Sequence, residues 1–233
     1  MTQPVLFIFT SADKLLDAYW VVPPEAAHPF YVLREHFPIV AASTKGGKVP
    51  VDQVSVDMFT DDDSQRFLKD KDAIELVQNT KKISEIKADD YAAIFVVGGH
   101  GPMIDLATDK TFAKLVEDFY AKKKSALQPV SAVCHGPAAL LSAVKPGTSE
   151  PLVKGVTVTG FSNDEEKQAP VDADKALPYW LETKMKELGA TYVKADEPWG
   201  VKVVWDQGIL TGENPASAGP LGEKLRDILL GKA

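Results

Sequence analysis

The chain has 233 residues, a length that suits one large α/β domain, and 45% hydrophobic with 25% charged residues is the make-up of a globular protein with a sizeable core. A formal net charge of -7 without any basic stripe argues against nucleic acid or an anionic membrane surface as a partner. The apolar runs fall short of the about 20 residues a bilayer span needs, and the single cysteine excludes a disulfide framework and suits a reducing compartment, so a cytoplasmic location is expected.

The opening Met1-Thr2-Gln3-Pro4 leads straight into an apolar run with no basic segment or cleavage site, so no secretion signal is expected. Val5 to Phe9 is that run, and Ile39 to Ser43, Ala92 to Val97 and Val130 to Cys134 resemble it. Short, nearly continuous apolar segments are what parallel strands buried on both faces require. Pro23-Pro24 opens a helix ahead of Glu25. Gly46-Gly47 and Asp61-Asp62-Asp63 fall in a polar stretch read as a surface excursion, not a domain boundary.

Phe112, Leu115, Val116, Phe119 and Tyr120 recur at helical spacing, with Lys122 to Lys124 closing that helix where cations suit its dipole. With the strands on either side this makes a βαβ unit. Leu177, Trp180, Leu181, Met185 and Leu188 form a second helical stripe, stopped by Gly189. Val201 to Trp205 and Ile209 to Thr211, joined by Asp206-Gln207-Gly208, read as a hairpin. Leu221, Leu225, Ile228 and Leu229 form the last helix. The alternation predicts an open α/β fold, a mostly parallel central sheet with helices on both faces, in one domain over 1–233.

Ligands in such sheets bind beyond the carboxyl ends of the strands. At one end stands Val96-Val97-Gly98-Gly99-His100-Gly101, whose glycines let backbone amides approach a ligand or oxyanion. At the other stands Val130-Ser131-Ala132-Val133-Cys134-His135-Gly136-Pro137. There a buried strand breaks at Cys134 and a helix begins within about three residues, with Pro137 in its first turn. Strand, nucleophile, helix is the geometry of the nucleophile elbow, and a helix N-terminus would favour the thiolate. A small buried cysteine with no chemical task is the alternative.

The Ala-Val-Cys134-His135-Gly136-Pro137 elbow together with Gly99-His100-Gly101 resembles the ThiJ/PfpI superfamily, a group with a class I glutamine amidotransferase-like domain. Further segments extend the likeness along the chain. They are Glu25-Ala26-Ala27-His28-Pro29-Phe30, Gly46-Gly47-Lys48-Val49-Pro50-Val51-Asp52, Thr159-Gly160-Phe161-Ser162-Asn163 and Thr211-Gly212-Glu213-Asn214-Pro215-Ala216-Ser217. They are similar to the heat-shock-protein-31-type branch, the glutathione-independent glyoxalases (glyoxalase III). The resemblance implies a flavodoxin-like three-layer sandwich and a homodimer. It also implies a nucleophile at Cys134, a histidine partner at His135 and a triad acid at Glu166, with Glu165 as a rival one residue away. A second carboxylate beside the sulfur falls on Glu25. The branch usually carries a glycine and no prolines before that residue, whereas here Asp17 to Val22 and Pro23-Pro24 precede it, which leaves the substrate less defined than the nucleophile.

The implied reaction turns methylglyoxal, a small 2-oxoaldehyde, into D-lactate without glutathione, metal or other cofactor. A Cys134 thiolate adding to the aldehyde gives a hemithioacetal. Glu25 shuttles a proton between the two carbons. His135, oriented by Glu166, serves hydrolysis of the thioester, with the amides of Gly99 and His100 at the oxyanion. No metal site is expected, because histidines and carboxylates do not recur at helical i, i+4 spacing. Two other readings stand beside this one: a cysteine hydrolase or deglycase on small amides, peptides or glycated adducts, and a stress chaperone or redox sensor without turnover.

Overall fold

The structure, a computed structural model, describes residues 2–12, 23–50, 53–121, 128–169 and 171–232. The lysines at 122–124, positions 17–22 ahead of the first helix, and 51–52 of the glycine-rich segment lie outside the described residues.

The strands in chain order are β1 (Val5–Phe9), β2 (Ile39–Ser43), β3 (Lys81–Lys82), β4 (Ala93–Val96), β5 (Val130–Val133), β6 (Thr157–Val158), β7 (Thr191–Tyr192), β8 (Val203–Asp206) and β9 (Ile209–Gly212). Seven of them form one sheet in the order β3-β2-β1-β4-β5-β9-β8. Every pairing in it is parallel except that between β8 and β9. The expected mostly parallel sheet is therefore present, and β1, β4 and β5 are buried along their whole length, as their unbroken apolar sequences demand. Phe7 and Phe95 stack across β1 and β4 with ring centroids 4.8 Å apart.

Helices flank the sheet to complete the flavodoxin-like three-layer sandwich. They are α1 (Pro23–Arg34), α2 (Gln53–Met58), α3 (Asp62–Phe67), α4 (Lys71–Gln78), α5 (Lys110–Ala121), α6 (Asn163–Glu166), α7 (Ala173–Ala176), α8 (Leu181–Glu187) and α9 (Ala218–Leu229). The spacing read between Phe112 and Tyr120 is α5, which buries Phe112, Leu115, Val116 and Phe119. The last stripe is α9, with Leu221, Leu225 and Ile228 buried. α9 packs on α1, and the approach is close at Gly222, where a Cβ would lie 2.9 Å from the Cα of Pro29. In the polar stretch Asp61 caps α3 by accepting from the Ser64 amide.

Three expectations change in detail. The Leu177-to-Leu188 stripe is not one helix: α7 ends at Ala176 and α8 starts at Leu181. Pro178 explains the break, since the residue before a proline is driven extended, and Leu177 has φ -108° and ψ 146°. The late hairpin is present, but its first strand is Val203–Asp206, so the loop is only Gln207-Gly208. After Cys134 the chain makes a short 3-10 helix, Gly136–Leu140, in place of an α-helix. Among the described residues no helix is long and apolar enough to cross a membrane.

Candidate active site

β4 and β5 are neighbours in the middle of the sheet, so the segments leaving their carboxyl ends meet. Cys134 follows β5 directly and has φ 61°, a left-handed conformation that costs a non-glycine residue roughly 1–2 kcal/mol. The surroundings hold it there. Its amide donates to the Gly212 carbonyl at 2.9 Å, and its own carbonyl accepts from the Phe161 amide at 2.8 Å. The elbow is thus pinned between β9 and the segment after β6, and the side chain turns into a cavity rather than along the strand.

Glu25 enters from the first turn of α1 and is fully buried. Its carboxylate and Cys134 both press on Gly98, where a Cβ would meet Glu25 Oε2 at 2.4 Å and the Val133 carbonyl at 2.5 Å. Only glycine leaves that space. Neither Glu25 oxygen has a fully formed hydrogen bond among the described residues, although the Cys134 thiol and the Gly99 amide are near enough to favour its charge. Burial outweighs them and pushes the Glu25 carboxyl up to about 8. Burial, followed by the charge of Glu25, also pushes the Cys134 thiol up. This reverses the expected lowering of the thiol. The short 3-10 turn after Cys134 supplies little dipole, while the sulfur is 4% exposed and faces a carboxylate.

On the other side of the sulfur, His135 Nδ1 lies 3.5 Å from Cys134 Sγ, and its Nε2 lies 2.7 Å from Glu166 Oε2. Burial opposes the charge of Glu166, but the His135 and His100 imidazoles beside it hold its carboxyl well below the usual carboxylate range. An ionised Glu166 accepts from Nε2–H, which leaves Nδ1 of His135 as the acceptor facing the thiol. The two adjacent glutamates have different partners, Glu166 meeting the histidines. Glu165 points away from the histidines and closes the capping box on Ser162.

His100 makes a contact that the sequence reading did not anticipate: its Nε2 lies 3.2 Å from Glu166 Oε1, so one carboxylate bridges two imidazoles stacked 4.2 Å apart. Gly99, at φ 82°, directs its amide at the Cys134–Glu25 pair. His100, His135 and Glu166 also bring ligand atoms within 4.8 Å of one another. Helical spacing had given no sign of such a group, because its members come from three separate segments. Two imidazoles and a carboxylate have the chemistry of a metal triad, and Glu166 lies within hydrogen-bonding distance of Nε2 on both imidazoles.

The cavity over the sulfur has a volume of about 70 Å3. The space accommodates a small molecule directly over the sulfur and is open to solvent on one side. Besides the residues above, Met58, Phe59, Phe161 and Trp199 form its walls. Sequence reasoning passed over Met58 and Phe59 in a stretch taken as surface, and over Trp199, for which the turn-forming Pro198-Trp199-Gly200 was the available signal.

A doubly wound α/β sandwich with a strained cysteine elbow after a central strand, backed by a buried histidine and two buried glutamates, defines a cysteine-elbow protein of the flavodoxin-like class. The chain belongs to the DJ-1/PfpI family, whose sequence profile matches residues 23–226. It is 33% identical over 199 residues to glyoxalase 3 of Candida albicans, covering 83% of each chain. To the glutathione-independent glyoxalase HSP31 of Saccharomyces cerevisiae it is 33% identical over 200 residues, covering 83% of this chain and 82% of that one. Among solved structures, the rapid encystment protein of 24 kDa (REP24) from Francisella tularensis superposes with a TM-score of 0.88 at 32% identity, over 98% of this chain and 99% of that one.

Proposed function

We propose that the protein is a glutathione-independent glyoxalase that converts methylglyoxal to D-lactate at Cys134. The observation that carries the proposal is Glu25, a fully buried carboxyl set beside the sulfur, with the Cys134 thiol and the Gly99 amide as its polar neighbours. A hydrolase needs a nucleophile, a histidine and an oxyanion site; a second carboxyl at the sulfur has a use only if a proton must move between carbons. The relatives named as glyoxalases support the same reading.

The atoms balance as follows. The sulfur of Cys134 adds to the aldehyde carbon as its proton passes to His135 Nδ1, 3.5 Å away, and the Glu25 carboxyl gives its own proton to the aldehyde oxygen, completing the hemithioacetal. Glu25, now a carboxylate, removes the remaining hydrogen from that carbon while His135 returns its proton to the neighbouring oxygen, giving an enediol; Glu25 then delivers the hydrogen to the neighbouring carbon and takes up the proton of the first hydroxyl. The product is a thioester of lactate. Water, losing a proton to His135, attacks that thioester and releases lactate, and the thiolate recovers its proton. One water is consumed and no net oxidation occurs, so the reaction needs no redox cofactor. On this reading the Gly99 amide, near Cys134 and Glu25, and the His100 amide that follows it take the developing oxyanions, and Glu166 serves by orienting His135.

Of the alternatives, hydrolysis of small amides or peptides and deglycation of small adducts would use the same Cys134, His135 and Glu166. A role without turnover has the exposed Met58, Trp199 and Val201 in its favour. A homodimer, one domain over the whole chain and a cytoplasmic site of action complete the proposal. Proton NMR of the purified protein with methylglyoxal decides: a lactate methyl doublet that a D-specific lactate dehydrogenase consumes supports it, and unchanged methylglyoxal with a reactive Cys134 removes it.

A further inference from the structure

Trp199 is held in a backbone conformation that a bulky aromatic residue rarely adopts, with φ 66°. Core packing does not account for this, since the residue is 43% exposed. The conformation is nonetheless fixed from several directions. Its amide donates to Glu165 Oε1 at 2.9 Å, and its indole N–H donates to Gln168 Oε1 at 2.9 Å. Gly200 follows in a turn so tight that a Cβ there would lie 2.9 Å from the Glu197 carbonyl. The effect of this arrangement is to bring the indole edge-on to Phe161, 5.4 Å between centroids. Phe161 in turn lies 4.5 Å from the His135 ring, and both aromatics wall the cavity over Cys134.

We propose that Trp199 is the specificity-determining gate of the Cys134 cavity, a rigid jaw that admits aldehydes with a small second substituent and turns away aromatic or branched ones. An observed backbone outlier at a cavity mouth, over-determined by its neighbours, is where function rather than packing sets the conformation. Met58, 56% exposed on the same cavity wall, is the adaptable counterpart, since an unbranched thioether re-packs easily. The identity of the aldehyde rests on the glyoxalase reading; the gate itself does not.

The test uses the single cysteine as its own reporter. Alkylation of Cys134 is timed with iodoacetamide and with a bulky N-aryl maleimide, in the unaltered protein, in Trp199→Gly and in Trp199→Phe. Glycine accepts φ 66° freely, so the first variant removes the jaw without adding strain. Trp199→Gly is expected to speed the maleimide by about 10-fold or more relative to iodoacetamide, the scale on which a pocket wall discriminates by size, and Trp199→Phe is expected to fall between. In parallel, kcat/KM for phenylglyoxal rises relative to methylglyoxal. Equal acceleration of both reagents overturns the gate. If Trp199→Gly does not fold, Gln168→Ala, which frees the indole, must shift the same ratio or the proposal fails. Should neither oxoaldehyde yield a hydroxy acid, the glyoxalase reading falls while the alkylation ratio still judges the gate.

Discussion

Glu165 and Glu166 are adjacent in the chain, yet their carboxylates bind entirely different partners. Glu166 gathers the two imidazoles of His135 and His100. Glu165 accepts from the Ser162 amide and hydroxyl, the Trp199 amide and the Asn214 side-chain amide. One meets the histidine that faces the sulfur, and the other ties three segments of chain together.

The pair therefore separates by measurement. Glu166→Gln is expected to lower kcat for lactate formation by about 10² to 10⁴, the usual worth of a positioned acid or base system, and to cost some stability at neutral pH as well, since a carboxylate held below its usual range favours the folded state. Glu165→Gln places an NH2 group among four donors, and leaving such a buried group unsatisfied costs about 1–3 kcal/mol per clash. Urea unfolding at neutral pH should show that loss for Glu165→Gln. The reverse pattern, turnover lost at 165 and spared at 166, would exchange their roles.

Glu25 links catalysis to stability. Its carboxyl sits at about 8 when folded, against about 4.3 unfolded. Below the lower value both states hold the proton and the full stability is present. Between the two, only the folded state keeps it, so stability falls as pH rises and is lost through about 8. Glu213, pushed up to about 7 chiefly by burial, adds a slope of the same sign. Glu25→Gln is expected to be more stable than the unaltered protein at pH 8 by a few kcal/mol, a tenfold displacement being worth about 1.4 kcal/mol. The two should converge near pH 4. The same variant should nearly abolish lactate while still forming the hemithioacetal, detectable by mass after reductive trapping. Normal lactate output from Glu25→Gln would mean the proton travels by another route.

The thiol makes a prediction of its own. With sulfur and carboxyl both raised, the alkylation rate of Cys134 should still be climbing at pH 8.5 instead of levelling off below it, the ordinary free-cysteine value being about 8.5. An inflection near pH 6 would show that substrate-free protein already holds a thiolate and that burial has been overcome.

Gly98 offers a steric check. Gly98→Ala forces a methyl against Glu25 Oε2 and the Val133 carbonyl. Displacement of Glu25 should cut turnover by at least about 10²-fold and lower the urea midpoint. Crystals of the variant with Glu25 unmoved and full activity would contradict the crowding described here.

Much of this was legible beforehand where local pattern decides structure. The β1 and β2 boundaries follow from apolar runs flanked by polar residues, and α5 follows from its spacing. The elbow was legible because Cys134-His135-Gly136-Pro137 interrupts a buried strand. What the sequence concealed depends on juxtaposition. The His100–Glu166 bond spans segments far apart in the chain, and the direction of the Cys134 shift depends first on how deeply the fold buries the thiol and then on Glu25 beside it. Pro178 was visible in the sequence, but the apolar spacing around it masked the break between α7 and α8.

The sheet closes at its two margins in different ways. At one, β3 is only two residues long, both of them exposed lysines, so approaching strands would meet positive charge and almost no free ladder. At the other, β6 lies beside β8, and the Thr157 amide is already bound to the Asp206 carboxylate at 2.7 Å. On the glyoxalase reading the protein meets a reactive aldehyde able to modify its surface, and open strands are where altered molecules would join. Short, charged and covered borders deprive them of that template, so chemical wear should end in lost activity before it ends in aggregation.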